Sequence, residues 1–172
     1  MSTLRIVVTD SNILINLLHA ECLHLLGQLN GYEFVVLEDV IAEISVPAQA
    51  ATLADAIERR VLKREALSSL DALALYSELT RTMGKGEAAS LAAAVTSGAL
   101  IACDEKRAFL RQARARLGDG RILTTPGFLV LAIHAGLLTV EEADAIKALL
   151  ETKRFRMSFA SFQDALGAPA HA

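Results

Sequence analysis

Four carboxylates stand where this chain could do chemistry. Asp10 follows the apolar run LRIVVT and Asp104 follows LIAC, so each ends a strand-like segment. Glu43 lies in LEDVIAEIS and borders the apolar face made by Val40, Ile41 and Ile44; Glu87 lies in GKGEAASLAAAV and borders the face of Ala88, Leu91, Ala92 and Val95. In an open parallel sheet, residues at the carboxyl ends of the strands project into the crevice where ligands bind. If the four acids converge there, mutual repulsion raises their pKa values and disfavours the site unless a cation compensates it. Oxygen ligands with no His or Cys near them select Mg²⁺ or Mn²⁺ over zinc. Such a centre suits in-line phosphodiester hydrolysis, in which metal ions lower the pKa of the attacking water and stabilise the leaving oxygen.

Each acid also has a plainer explanation. Asp before a helix is a common N-cap, and Glu in a first helical turn complements the positive helix end. Either aspartate alone reads as a cap; two of them at strand ends leave cap and ligand equally open. The glycines flanking Lys85 and the alanines after Glu87 permit close backbone packing that could carry Glu87 toward a site.

The elements that must position these residues follow from hydrophobic periodicity. Short apolar runs predict strands at 4–9, 34–37, 100–103 and 121–123, and helical spacing predicts helices at 11–30, 39–45, 48–60, 68–82, 86–97 and 105–117. A Pro-started helix at 126–135 is closed by Gly136, and Thr139 with Glu142 forms a capping-box pattern opening another. Residues 154–167 could add a last strand and short helix. Strands alternating with helices, apolar on successive residues, predict an α/β domain with a central, mostly parallel sheet of four or five strands flanked by helices. We expect one domain over 1–166 and a fraying tail at 167–172, with no internal repeat.

Composition narrows the classes further. The net charge of −3 and pI near 5.8 argue against a protein that mainly coats nucleic acid, while leaving room for a local basic surface. Apolar residues make up 53% and mean hydropathy is +0.39, which predicts an apolar face covered by a second copy or a partner. The longest apolar run, 128–140, is too short to span a bilayer and contains His134. The N-terminus lacks the order of a signal peptide, so cytoplasm is the expected location. Cys22 and Cys103 show no metal or disulfide spacing and read as buried hydrophobes. The four histidines lack ligand or nucleophile spacing, and GKGEAAS is not a phosphate-binding P-loop.

The order VTDSNILINLL, LEDVIAEI, GKGEAASLAAA, LIACDEKRAF resembles the PIN-domain nucleases, closest to small single-domain prokaryotic members that include VapC-type toxins of toxin–antitoxin pairs. The resemblance continues through GRILTTPGFLVLAIHAGLLTVEEADAIKALLETKRFRMS and so covers nearly the whole chain. It implies a Rossmann-like sheet, a homodimer and cleavage of single-stranded RNA dependent on Mg²⁺ or Mn²⁺. It also implies Asp10, Glu43, Glu87 and Asp104 as the catalytic acids, with Asp10, Glu87 and Asp104 on the metal. Asn12 is the accompanying polar residue two positions after the first acid. Relatives often carry two aspartates after the fourth acid's strand; here the pair is Asp104 and Glu105, so Glu105 is the second choice.

Six of the 17 basic residues fall between Lys106 and Arg121. Arg107, Arg111 and Arg114 share one predicted helical face beginning beside Asp104; charge runs are more often solvated faces, and the resemblance is what favours contact with RNA phosphates here. Aromatic residues are too few for a base-stacking platform, so RNA selectivity should come from shape and backbone contacts. Three readings therefore compete. The first is a metal-dependent endoribonuclease, with an antitoxin as a possible partner. The second is a catalytically incomplete PIN-fold module that binds RNA or protein. The third, a phosphoryl-transfer enzyme with Asp10 as nucleophile, is disfavoured because Asn12 stands where a second acid would be expected.

Overall fold

The computed structural model describes residues 3–104 and 107–167, Arg107 by its backbone alone. The predictions for Glu105, for the Arg107 side chain and for the tail beyond residue 167 lie outside the described residues.

Five strands form one sheet: β1 Arg5–Thr9, β2 Tyr32–Leu37, β3 Lys63–Glu65, β4 Leu100–Ala102 and β5 Ile122–Leu123. Their order is β3-β2-β1-β4-β5 and every pairing is parallel. The chain thus starts in the middle, winds outward to β3, and returns to the other side of β1 to build β4 and β5. This reversal makes the gap between β1 and β4 the topological switch point, where the strands' carboxyl ends leave a crevice open. Asp10 follows β1 directly, and its amide bonds to Ala102 O at 2.8 Å, carrying the β1–β4 pairing to the crevice edge. Asp104 lies two residues beyond β4.

The sheet stays buried because its central strands are apolar on both faces. Val7, Val8, Val35, Val36 and Ile101 are all buried, as parallel strands covered by helices must be. One face of α1 (Ser11–His19) contributes Ile13, Leu14 and Leu17 to the same core. The remaining helices are α2 Glu38–Glu43, α3 Pro47–Glu58, α4 Leu70–Leu79, α5 Lys85–Ser97, α6 Arg107–Leu117, α7 Thr125–His134, α8 Val140–Thr152 and α9 Phe162–Leu166.

Three local differences from the sequence prediction have physical causes. The helix expected over 11–30 stops at His19, and a 3₁₀ segment, Leu23–Gln28, follows. Glu21 there takes φ 55°, while Cys22 N–H bonds to Leu17 O and Glu21 N–H to Leu18 O, the Schellman arrangement that glycine usually completes. Arg60 and Arg154 terminate α3 and α8 in the same way, whereas Gly136 terminates α7 where a glycine was expected. Strand β3 was not predicted, because Lys63, Arg64 and Glu65 carry no apolar signal. It is an exposed edge strand held by parallel pairing and by Lys63–Glu33 and Arg64–Glu38 ion pairs, each 2.5 Å. Residues 154–167 form no strand; only α9 appears, tethered where Asp144 accepts bonds from Ser161 Oγ (2.7 Å) and Phe162 N–H (2.8 Å).

The predicted capping box at α8 is present: Thr139 Oγ1 accepts from Glu142 N–H at 3.1 Å, and Glu142 Oε2 from Thr139 N–H at 2.8 Å. Thr139→Ala should therefore lower unfolding free energy by about 1 kcal/mol. A urea titration with unchanged slope and a lower midpoint would report this, and an unmoved midpoint would refute it.

Candidate active site

Asp10 holds the N-cap position of α1 by backbone geometry, yet its side chain makes no capping hydrogen bond. The cap explanation therefore does not account for the carboxylate. Asp10 is 1% exposed, and among the described residues its Oδ1 has no hydrogen-bond partner. Its Oδ2 accepts from Asn12 Nδ2 at 3.3 Å. Burial pushes the carboxyl up to about 7; the nearby backbone N–H of Ser11 offsets part of this, the Glu87 and Glu43 carboxylates raise it again, and the backbone N–H of Asn12 lowers it. Asp10 thus shares one electrostatic field with Glu87 and Glu43.

Asp104 is buried too, but its carboxylate is well partnered. Oδ1 accepts from Thr125 N–H at 2.7 Å, and Oδ2 accepts from Asn16 Nδ2 at 2.8 Å and from Thr125 Oγ1. Burial raises its pKa, and the bonds from Thr125 and Asn16 pull the other way. Asn12 ties the two strand ends together, since its Nδ2 also lies 3.4 Å from Asp104 O. That is a concrete role for the polar residue two positions after Asp10.

The two glutamates meet at the start of α5. Glu43, the last residue of α2, is more exposed than its place beside an apolar stripe suggested, but its Oε1 accepts from Gly86 N–H at 2.8 Å. A Cβ at position 86 would lie 2.5 Å from both Glu43 oxygens, so only glycine leaves room for this contact. Glu87 Oε2 accepts from Gly84 N–H at 3.3 Å, which anchors the carboxylate at the positive end of α5.

The four acids lie in two groups. Asp10, Glu43 and Glu87 interact electrostatically, and Asp104 joins them through Asn12 and a buried network with Asn16 and Thr125. Among the described residues no group of three or more His, Cys, Asp and Glu side chains is arranged to hold a metal ion. The donor chemistry nevertheless fits a hard cation: a buried carboxylate oxygen without a partner faces a field made more negative by two further carboxylates. Glu43 and Glu87 stand on rotatable side chains able to turn toward such a charge.

Sequence reasoning missed Asn16, Thr125 and Gly86 as parts of the site. Asn16 carried a signal, as a polar residue one helical turn after Asn12 on an otherwise apolar helix face. Thr125 had one as well, being a polar residue just past the end of β5, as Asp10 is past β1. The basic stripe is only partly available for RNA. Arg114 Nε pairs with Asp119 at 2.9 Å and Arg116 with Glu78 at 3.1 Å, whereas Arg111 lines a cleft together with Glu87. Cys22 and Cys103 are buried as expected, and among the described residues no helix is long and apolar enough to cross a membrane.

A search of curated proteins and a search of solved structures each returned no match. A comparison with family models matched residues 6–168 to the family described as PIN domain. The all-parallel sheet, the buried acid at its switch point and a match over nearly the full length agree, and the chain belongs to the PIN domain family.

Proposed function

We propose that the chain is an endoribonuclease that hydrolyses phosphodiester bonds of single-stranded RNA with Mg²⁺ or Mn²⁺, residues 1–166 acting as one PIN domain. PIN domains are generally nucleases. The observation that carries the reading is Asp10: a buried carboxylate with one oxygen unpartnered among the described residues, in the field of Glu43 and Glu87, at the crevice of the sheet. A capping or packing role leaves that oxygen unexplained, and burial without a partner is costly.

In this reading Asp10, Glu87 and Asp104 hold the divalent ion and Glu43 completes the acidic set. A bound divalent ion supplies a lowered pKa for the attacking water and offsets charge on the leaving oxygen. Asn12 fixes the Asp10 carboxylate against the end of β4, while Asn16 and Thr125 hold Asp104 in one rotamer. Hydrolysis leaves a 5′-phosphate and a 3′-hydroxyl.

The test is an assay of purified protein on mixed single-stranded RNA with Mg²⁺ or Mn²⁺, comparing wild type with Asp10→Asn and Glu87→Gln. Wild type should cleave and both variants should lose activity. Metal-independent cleavage, or equal activity in all three, would overturn the assignment.

One observation favours a second reading, an RNA- or protein-binding module without catalysis: both Asp104 oxygens are already engaged by neighbours. RNA binding by wild type with no cleavage in either metal would select it. A cytoplasmic toxin neutralised by an antitoxin is the biological setting we infer from the resemblance to small VapC-type members. A small upstream reading frame encoding a DNA-binding protein would support it. A homodimer is in keeping with the apolar composition and with exposed Leu70, Leu73 and Val46.

A further inference from the structure

Beside the acids, a cleft of about 370 Å³ runs between the start of α5 and helix α6. This volume falls in the range of small-ligand sites. Its walls are Met83, Ala108 and Phe109, with Phe109 only 4% exposed and so fixed by packing. Its polar groups are Thr82 and Glu87 at one side and Arg111 and Gln112 from α6. No hydrogen bond or ion pair to another described residue engages the Arg111 guanidinium or the Gln112 amide. The neighbouring arginines 114 and 116 are already committed to Asp119 and Glu78.

These surfaces match two of the three parts of a nucleotide, the base and the phosphate. Apolar walls accept the faces of a base, and an uncommitted carboxamide offers one donor and one acceptor to its edge, the pairing by which Gln reads bases. An uncommitted guanidinium can take a phosphate through two parallel bonds. Glu87 belongs to both the cleft and the acid cluster, since its charge is felt at Asp10. A nucleotide in the cleft is therefore next to whatever the acids act on.

We propose that this cleft is the subsite for the nucleotide flanking the scissile phosphate, with Gln112 reading the base and Arg111 holding its phosphate. The inference rests on the nuclease reading for its substrate class and goes beyond it by assigning base preference to α6. It also revises the expectation that selectivity comes from shape and backbone contacts.

The test measures binding of labelled homopolymeric RNA oligonucleotides of each base in Ca²⁺, and their cleavage in Mg²⁺, for wild type, Gln112→Ala and Arg111→Ala. Circular dichroism should be the same for all three, because both residues lie at the surface of α6. Wild type should prefer one base by about tenfold or more, and Gln112→Ala should reduce that ratio to near one. Arg111→Ala should weaken all four oligonucleotides alike and lower the salt slope of binding by about one. If wild type cleaves RNA while Gln112→Ala keeps its full base preference, the subsite is wrong and the nuclease reading stands. If wild type shows no cleavage with any metal, yet Gln112→Ala still erases its base preference in binding, the nuclease reading fails and the subsite stands. Absence of base preference in wild type overturns the proposal.

Discussion

Asp10→Asn should make the protein more stable at pH 8 while abolishing its cleavage of RNA. In the unfolded chain this carboxyl titrates near 3.8, and burial in the fold moves it up to about 7. Between those values the folded protein holds a proton that the unfolded chain has released, so stability falls as pH rises through this window. Above pH 7 the whole cost of keeping Asp10 ionised is present, on the order of 4 kcal/mol. Asp104 is displaced in the same direction and adds a loss of the same sign in both proteins. Asparagine cannot ionise, so the variant escapes the Asp10 share. Urea titrations at pH 5 and pH 8 should show wild type losing more stability than Asp10→Asn over that interval. Equal losses would mean that Asp10 is not the strained group.

The same carboxylate should pass from liability to asset when a divalent cation is added. Binding to the folded state alone stabilises by about 2.7 kcal/mol at a concentration a hundredfold above Kd. Mg²⁺ should therefore raise the melting temperature of wild type at pH 8 and leave Asp10→Asn almost unmoved. Cleavage should fall by at least about 10²-fold in the variant, a typical loss for removing one preorganised electrostatic group. A protein that retains a destabilising buried acid trades stability for function. A variant more stable yet inactive is the mark of that trade, and a variant both unstable and active would contradict it.

How far the sequence led depended on whether a feature is local. Asp10 could be found because a strand end and a helix start are neighbours in the chain, and four of the five parallel strands followed from short apolar runs between helices. Thr139 and Gly136 announced their caps for the same reason. The end of α1 was hidden because Glu21 adopts the left-handed conformation usually left to glycine, and the surrounding bonds hold it there. Strand β3 was hidden because pairing at an edge needs no apolar side chains, and charged ones guard such an edge. At the site the acids were visible and their partners were not. Asp104 is held by Thr125, 21 positions away, and by Asn16, 88 positions away. No spacing rule joins those residues; only the crossing of β1, β4 and β5 at one end of the sheet does.

The second large effect should come from a residue with no chemistry of its own. Gly86→Ala places a methyl group 2.5 Å from both carboxylate oxygens of Glu43, closer than nonbonded atoms approach. The obstructing atoms are the end of an exposed, rotatable side chain, so Glu43 can swing away and leave the backbone unmoved. Alanine favours a helix over glycine by up to about 1 kcal/mol. The lost bond from Gly86 N–H to Glu43 costs about as much. Net stability should therefore change by less than about 1 kcal/mol. Activity should not escape, because displacing a charged group by an ångström or more can cost about 10²-fold in rate. Comparing Gly86→Ala, Glu43→Ala and the double variant separates this route from a general disturbance of α5. If the glycine acts by seating Glu43, the double variant should be no slower than Glu43→Ala alone. Losses that multiply in the double variant would mean that Gly86 serves the site by some route other than Glu43.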